Sequence, residues 1–398
     1  MKKSIILLIV TVIFVSCATE KEFSDIPIIN KSVCEKVETI KLDDPKFFVQ
    51  TELVQLETTD NSLLSEIYQM EIFENHIYIF DKKMKSIKKF DLKGKYIQDI
   101  GALGNGPGEY LSINAFYIHP QHQVINIFDP LKQSVHRYGL SGNFIESIKF
   151  EDKNIAFISR ASLLNQNDIF CFSTTNWEDN GNFFILKEKD YSISHYLSYH
   201  PVKPKGYISF SVADHPYTVT SDGVRFVSLF SDTIRSYHED EITGLAILKG
   251  DRIPLDSHTI KKLASDTKND YFSILRQVSD GKKYTLGLKN YFESNTYFCC
   301  NFFSDNLLNH AILWNKTNSM GIYISDYANP TPDFGSISYC FKNTFVRIWD
   351  GEEIEYFKEK TSEGLYDKNQ FPQKVWEAID NYESEDSNPV LIFYTLKE

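Results

Sequence analysis

Short apolar runs recur along this chain, alternating with polar residues at every second position and breaking at Gly, Pro, Asn or Asp. That period predicts β-strands. The pattern is written twice in nearly the same letters. Residues 76–100 read HIYIFDKKMKSIKKFDLKGKYIQDI and residues 124–148 read VINIFDPLKQSVHRYGLSGNFIESI. The copies lie 48 residues apart, align without a gap and share nine of 25 positions. The identities include Ile77/Ile125, Ile79/Ile127, Asp81/Asp129 and Gly94/Gly142. Ile77 and Ile79 share one face of a strand, and Ile87 belongs to the next. Leu92-Lys93-Gly94-Lys95 is a turn in which Gly94 supplies positive φ. Tyr96 to Ile100 is a third strand, and a run around Ile113 to His119 completes a unit of four.

Four-stranded units at a spacing of about 40–50 residues have the size of propeller blades, and one blade alone leaves both faces unburied. Weaker copies follow at Asp168–Phe172 with Phe183–Leu186, Val224–Ser228 with Asp232–Tyr237, and Tyr297–Phe303 with His310–Trp314. A sixth begins near Tyr339-Cys340 and runs through Phe345–Trp349. The expected fold is all-β: a six-bladed β-propeller of four-stranded antiparallel blades over residues 46–398. A strand at Phe48–Leu56 and a last one at Asn388–Tyr394 would pair to close the ring and remove its open edges. Helix-like spacing is confined to Ser257–Ser265 and Gln373–Asn381.

The N-terminus follows another logic. Lys2 and Lys3 precede an apolar run from Ile5 to Val15, too short for the roughly 20 residues of a membrane span and of signal-peptide length. Residues 1–16 are therefore expected to be a signal peptide and residues 17–45 a lipidated cysteine with its polar tether. Phe14-Val15-Ser16-Cys17 resembles the lipobox of bacterial lipoproteins, although Phe14 stands where Leu is usual. The resemblance implies acylation of the Cys17 thiol and a membrane connection through lipid only. Ala18 follows the cysteine, and no Asp stands there to retain the protein at the inner membrane. The acidic stretch Glu20-Lys21-Glu22 resembles a surface-export signal. The expected address is the outer membrane, with display at the cell surface as the further reading.

Charge narrows the partners. Loss of residues 1–16 removes two lysines and no acids, taking the formal charge from -12 to -14. Such a chain lacks the clustered positive charge of a nucleic-acid binder. The 30 Phe and 23 Tyr favour strands over helices. Beyond Cys17, the odd set Cys34, Cys171, Cys299, Cys300 and Cys340 defines no disulfide framework. Buried free thiols are expected, with Cys299 and Cys300 pointing to opposite faces of one strand.

Taken in order, these features resemble the six-bladed β-propeller lipoproteins of Bacteroidota, distant relatives of NHL-type propellers. The matching residues are the lipobox, the repeated Ile-Phe-Asp strand with its Leu-x-Gly turn, and Gly104-Asn105-Gly106-Pro107-Gly108-Glu109-Tyr110. Ser231-Asp232-Thr233-Ile234 and Asn388-Pro389-Val390-Leu391 belong to the same likeness. It implies fold and address more than activity.

Candidate chemistry is sparse. The glycine-rich run from Gly101 to Tyr110 lacks the Gly-Lys-Ser/Thr and the Gly-x-Gly-x-x-Gly order of nucleotide loops. It reads as an inter-blade turn, from which Glu109 and Tyr110 are the residues expected to face a ligand. His119 and His122 offer two imidazoles, but Pro120 opposes a helical pair and no third ligand is fixed nearby, so a surface loop is expected. Asp81 and Asp129 recur at the repeat period, which signals the bonding of turn amides rather than catalysis. No catalytic site, metal or cofactor is assigned. The expected function is a ligand-binding or protein-interaction module for a small molecule, glycan, peptide or protein. The alternative is a lyase or lactonase-like hydrolase with an axial metal.

Overall fold

The computed structural model describes residues 26–173, 182–197, 215–228, 231–250, 253–254, 262, 284–285, 287–303, 309–384 and 386–398. Cys17 and the segment before it lie outside the described residues. So does the helix expected over 257–265, except for Lys262.

Six four-stranded antiparallel blades form the ring. Blade 1 comprises Ile67–Phe73, His76–Asp81, Ser86–Asp91 and Tyr96–Asp99. Blade 2 comprises Ala115–His119, Val124–Asp129, Ser134–Gly139 and Phe144–Lys149. Blade 3 holds Ile158–Leu163, Asp168–Ser173, Phe183–Lys187 and Ile193–Leu197, and blade 4 holds Tyr217–Thr220, Gly223–Phe226, Thr233–His238 and Glu241–Lys249. Blade 5 is Leu288–Glu293, Tyr297–Phe303, Asn309–Asn315 and Met320–Ile324. Blade 6 takes Ile337–Phe341, Thr344–Trp349 and Val390–Leu396 from the C-terminal part, and Phe48–Gln55 as its outermost strand. The last two pair antiparallel from Val390 with Gln55 to Leu396 with Phe48. The ring is thus closed by the two ends of the propeller, as the pattern predicts. Asn388 secures that joint: its side chain accepts from the Leu64 amide (2.7 Å) and donates to the carbonyls of Glu57 (2.7 Å) and Ser62 (2.9 Å).

The core is divided among the seams. Ile77 and Ile79 pack towards blade 6, whereas Tyr78 and Phe80 on the same strand pack towards blade 2. Ile125 and Ile127 face blade 1, and Phe128 faces blade 3. Both faces of each blade are buried, which explains why the middle strands read as nearly continuous apolar runs. The repeat also bonds the seams in register. Lys89 of blade 1 donates to the Leu140 carbonyl of blade 2 (2.9 Å), and Arg137 of blade 2 donates to the Glu188 carbonyl of blade 3 (3.2 Å). Each pair is the other displaced by 48 residues. Gly94 and Gly142 both hold φ of +80° in their outer turns.

Two features depart from the sequence reading. Helix α1, Gly351–Ser362, was not legible in the periodicity, while α2, Gln373–Asp380, matches its expected place. Both lie between the second and third strands of blade 6. The Asp350 side chain caps α1 through the Glu353 amide (3.0 Å), and Glu352 and Glu353 complement its N-terminal dipole. Ile354 and Phe357 join Val375 and Ile379 of α2 over the core between blades 5 and 6.

The second departure concerns the tether. From residue 28 the chain is built into the rim. Ile28–Asn30 runs parallel to the outer strand of blade 4, and Glu35–Val37 parallel to that of blade 5. Ile40 then bridges to Phe334, and the Leu42 amide donates to Asp333 (2.9 Å). Ile29, Cys34, Ile40 and Leu42 are buried. Apolar residues spaced this irregularly give no strand signal, yet each fills a gap beside an edge whose backbone groups need partners. Among the described residues no helix is long and apolar enough to cross a membrane.

Candidate functional site

The innermost strands line an axial channel that opens at the end bearing α1. A cavity of about 1230 Å³ occupies it, and a smaller one of about 230 Å³ lies between blades 1, 2 and 3. The large cavity is walled by amides and aromatic rings, among them Gln69, Asn290, Asn301, Tyr68, Phe292 and Tyr327, with Arg160 and His215. Carboxylates of Asp350, Glu352 and Glu353 and the lysines Lys82 and Lys83 stand at the same opening.

The polar wall is held by bonds that cross from blade to blade. Gln69 of blade 1 donates to the Phe116 carbonyl of blade 2 (2.8 Å) and to Glu71 (3.0 Å). Tyr339 of blade 6 donates to the other oxygen of Glu71 (3.1 Å). Burial pushes the Glu71 carboxyl up, and the Gln69 bond, the Arg160 charge and the Tyr339 bond pull it back. His215, just before blade 4, donates from Nδ1 to the Tyr291 carbonyl of blade 5 (3.1 Å), since a carbonyl can only accept. Its amide donates to Asn290 (3.0 Å), and its ring stacks on Phe292 at 4.3 Å. Burial, then the Arg160 charge, hold its pKa well below the usual value. The imidazole is therefore neutral at pH 7. Blades 1, 3, 5 and 6 each place a polar side chain here from their own strands, Gln69, Arg160, Asn290 with Asn301, and Ser338, so no local motif announces the site.

The residues singled out in the sequence fall elsewhere. Glu109 and Tyr110 lie in the connection between blades 1 and 2, and neither lines the cavity. Tyr110 is buried between those blades, with its hydroxyl 3.4 Å from the Ile100 carbonyl. The Glu109 carboxylate turns back onto the Gly106 amide (2.7 Å). Asp81 and Asp129 do the work their recurrence implies. Asp81 accepts from the amides of Ser65, Glu66 and Met84. Asp129 accepts from the amides of Leu111 (2.7 Å), Leu131 (3.0 Å) and Lys132 (3.1 Å) and from the Ser112 hydroxyl (3.0 Å). Each ties an inter-blade connection to the hairpin beside it. Burial opposes the charge of Asp129, but bonds from His136, Leu111, Lys132 and Ser112 hold its pKa down to about 2.

The thiols Cys34, Cys171, Cys299, Cys300 and Cys340 are free. Cys299 packs between blades 5 and 6 and Cys300 between blades 4 and 5, on opposite faces as expected. Burial pushes Cys299 up to about 12. At the other end of the ring His119 and His122 acquire a companion that the sequence does not reveal. Glu188, from blade 3, lies with them so that one ligand atom from each falls within 4.8 Å of the others.

Comparison with solved structures supports the architecture. A protein described as exported, from Bacteroides fragilis, is similar over 92% of this chain and 99% of its own, at 17% identity and a TM-score of 0.73. A member of the DUF4221 family from Bacteroides vulgatus is similar over 90% and 98%, at 9% identity and a TM-score of 0.55. At these identities the likeness is one of fold. No curated protein matches the chain. A family model matches residues 24–395, nearly the whole propeller with its rim segment, and the chain belongs to that family, described as a domain of unknown function, DUF4934.

Proposed function

We propose that this protein is a lipid-anchored component of the bacterial envelope whose axial cavity binds a polar ligand, a glycan or a peptide. The observation that carries the reading is the cavity of about 1230 Å³ with its wall of Gln69, Asn290, Asn301, Arg160 and His215. It exceeds the roughly 300–1,000 Å³ of ordinary small-molecule pockets. Amides and a guanidinium fix hydroxyls and carbonyls by direction, and the rings of Tyr68, Phe292 and Tyr327 offer apolar surface. Among the described residues no three metal-ligating groups converge in this cavity, and its wall of amides and rings favours binding. The signal-peptide pattern and Cys17 support the address, as does the export in the description of the Bacteroides fragilis protein.

The test is binding of the purified chain to glycan and peptide arrays, followed by calorimetry on the hits. Ser338, on the inner strand of blade 6, lines the cavity. Ser338→Trp should fill it and abolish binding while the circular dichroism spectrum and melting stay near wild type. Unchanged affinity in this variant would move the ligand elsewhere. Robust turnover of a defined substrate, lost on one axial substitution, would replace the binding reading with an enzyme.

A further inference from the structure

The seam between blades 2 and 3 carries a group of side chains that the axial cavity does not use. His119 ends the inner strand of blade 2, His122 sits in the hairpin that follows, and Glu188 begins the outer hairpin of blade 3. We propose that these three form a binding site for a divalent transition metal of the zinc type, placed off the axis at the end of the ring opposite α1. The His119–His122–Glu188 juxtaposition supplies two imidazole nitrogens and one carboxylate, the donor set that zinc takes with a fourth position left to water.

Several observations point there together. The ligand atoms already lie within 4.8 Å of one another. His119 is fully buried, and its Nε2 makes no hydrogen bond of normal geometry, with only a weak backbone interaction from Gln166 acting on the ring, an uncommon state for a buried ring nitrogen. The rings of His119 and His122 stack at 3.9 Å with 7° between their planes. A metal lies in the plane of each imidazole it binds, so one ring must turn. His122 is exposed and free to rotate, whereas His119 and Glu188 are buried and set the position. Glu188 is held from behind: Arg137 pairs with its Oε1, and its own amide donates to the Asn167 carbonyl (2.7 Å). Arg137 is in turn anchored by Asn126 (3.1 Å) and Glu146 (3.0 Å). Outer-shell bonds of this kind fix a ligating carboxylate and leave its second oxygen for the metal.

The proton balance is simple. The His122 amide points to His119 Nδ1 at 3.3 Å, which puts the ring proton on Nε2. Metal binding at Nε2 moves that proton to Nδ1 and gives up this weak contact. Nothing is oxidised, and no proton need leave the protein. The ion would staple the inner hairpin of blade 2 to the outer hairpin of blade 3.

The experiment is titration of the purified full chain, stripped with chelator, with Zn²⁺ by calorimetry and with Co²⁺ by visible absorption. The expected result is one ion per chain, a Co²⁺ ligand-field band in the visible, and a rise in melting temperature. His122→Ala, at an exposed position that need not disturb folding, should weaken binding by more than the roughly 10–100-fold that loss of an outer-shell partner costs. Glu188→Gln should weaken it too. Absence of stoichiometric binding at micromolar metal would overturn the proposal. So would binding that both variants leave unchanged. Neither result touches the axial cavity, so this site and the ligand reading stand or fall separately.

Discussion

Asp129 offers the sharpest test of how the blades are joined. Its side chain is fully buried and accepts four hydrogen bonds, three of them from backbone amides, with His136 Nε2 at 3.4 Å from it. A carboxyl with an ordinary pKa of about 3.9 when unfolded and held at about 2 here is charged more readily in the folded protein. At roughly 1.4 kcal/mol per pKa unit, the difference contributes about 2–3 kcal/mol at neutral pH. The sign follows from the depression. The contribution is complete above the unfolded pKa and is lost as pH falls through the folded one, that is from about pH 5 to below pH 2. Asp129→Asn keeps the shape and removes the charge. Urea unfolding should show the variant less stable by about 2–3 kcal/mol at pH 7, with most of that gap closing as the pH approaches 2. A gap that stays constant across this range would show that the charge of Asp129 does not hold the connection, and the account of the recurring aspartates would fail.

Other consequences are as direct. Gly94→Ala would place a Cβ 2.1 Å from the Gln55 carbonyl oxygen at φ +80°, whereas Gly364→Ala, at φ +81°, meets nothing within 4 Å. Melting should fall clearly more for the first, and equal losses would refute the close approach. Arg347→Met should cost about 3–5 kcal/mol in denaturant unfolding, because the buried guanidinium bonds the carbonyls of Asn329, Thr331 and Asp333 and pairs with Glu353. A loss below about 1 kcal/mol, the worth of an exposed pair, would count against it. Native protein should resist thiol reagents at all five described cysteines, which burial keeps protonated, and should label fully in guanidinium; two or more fast-reacting thiols would contradict the packing. Cys17→Ser should abolish incorporation of labelled fatty acid and release the protein from the outer-membrane fraction; retained label and sedimentation would refute the anchor.

The fold was legible where side-chain spacing follows the blade. Alternation on both faces, the Leu-x-Gly turn and the recurring aspartates all serve contacts that each blade makes with its neighbour, and such contacts repeat because the ring repeats. The innermost strands were harder to see. Ile67–Phe73 and Leu288–Glu293 carry Gln69, Glu71 and Asn290, polar residues that interrupt the apolar pattern because they face the channel. Helix α1 was missed because only Ile354 and Phe357 mark its buried side, although Asp350 before it and Gly364 after it are ordinary helix punctuation. The rim segment was missed because strands that pair with an existing edge can be short and polar.

The axial site was illegible for a deeper reason, which the repeat itself exposes. Positions identical in blades 1 and 2 are those that every seam needs. Positions that differ between equivalent places are free to carry chemistry. Glu71, Glu74 and Leu140 stand in the first seam where His119, His122 and Glu188 stand in the second, each displaced by 48 residues. One scaffold position thus holds an axial carboxylate in blade 1, bonded to Gln69 and Tyr339, and a buried imidazole in blade 2. A search for conserved-looking motifs within the repeat finds the struts. Subtracting one copy from the next finds the candidate sites, because a substitution that breaks the repeat at a buried polar position must be compensated by a partner on another blade, and that partner is visible only once the ring has closed.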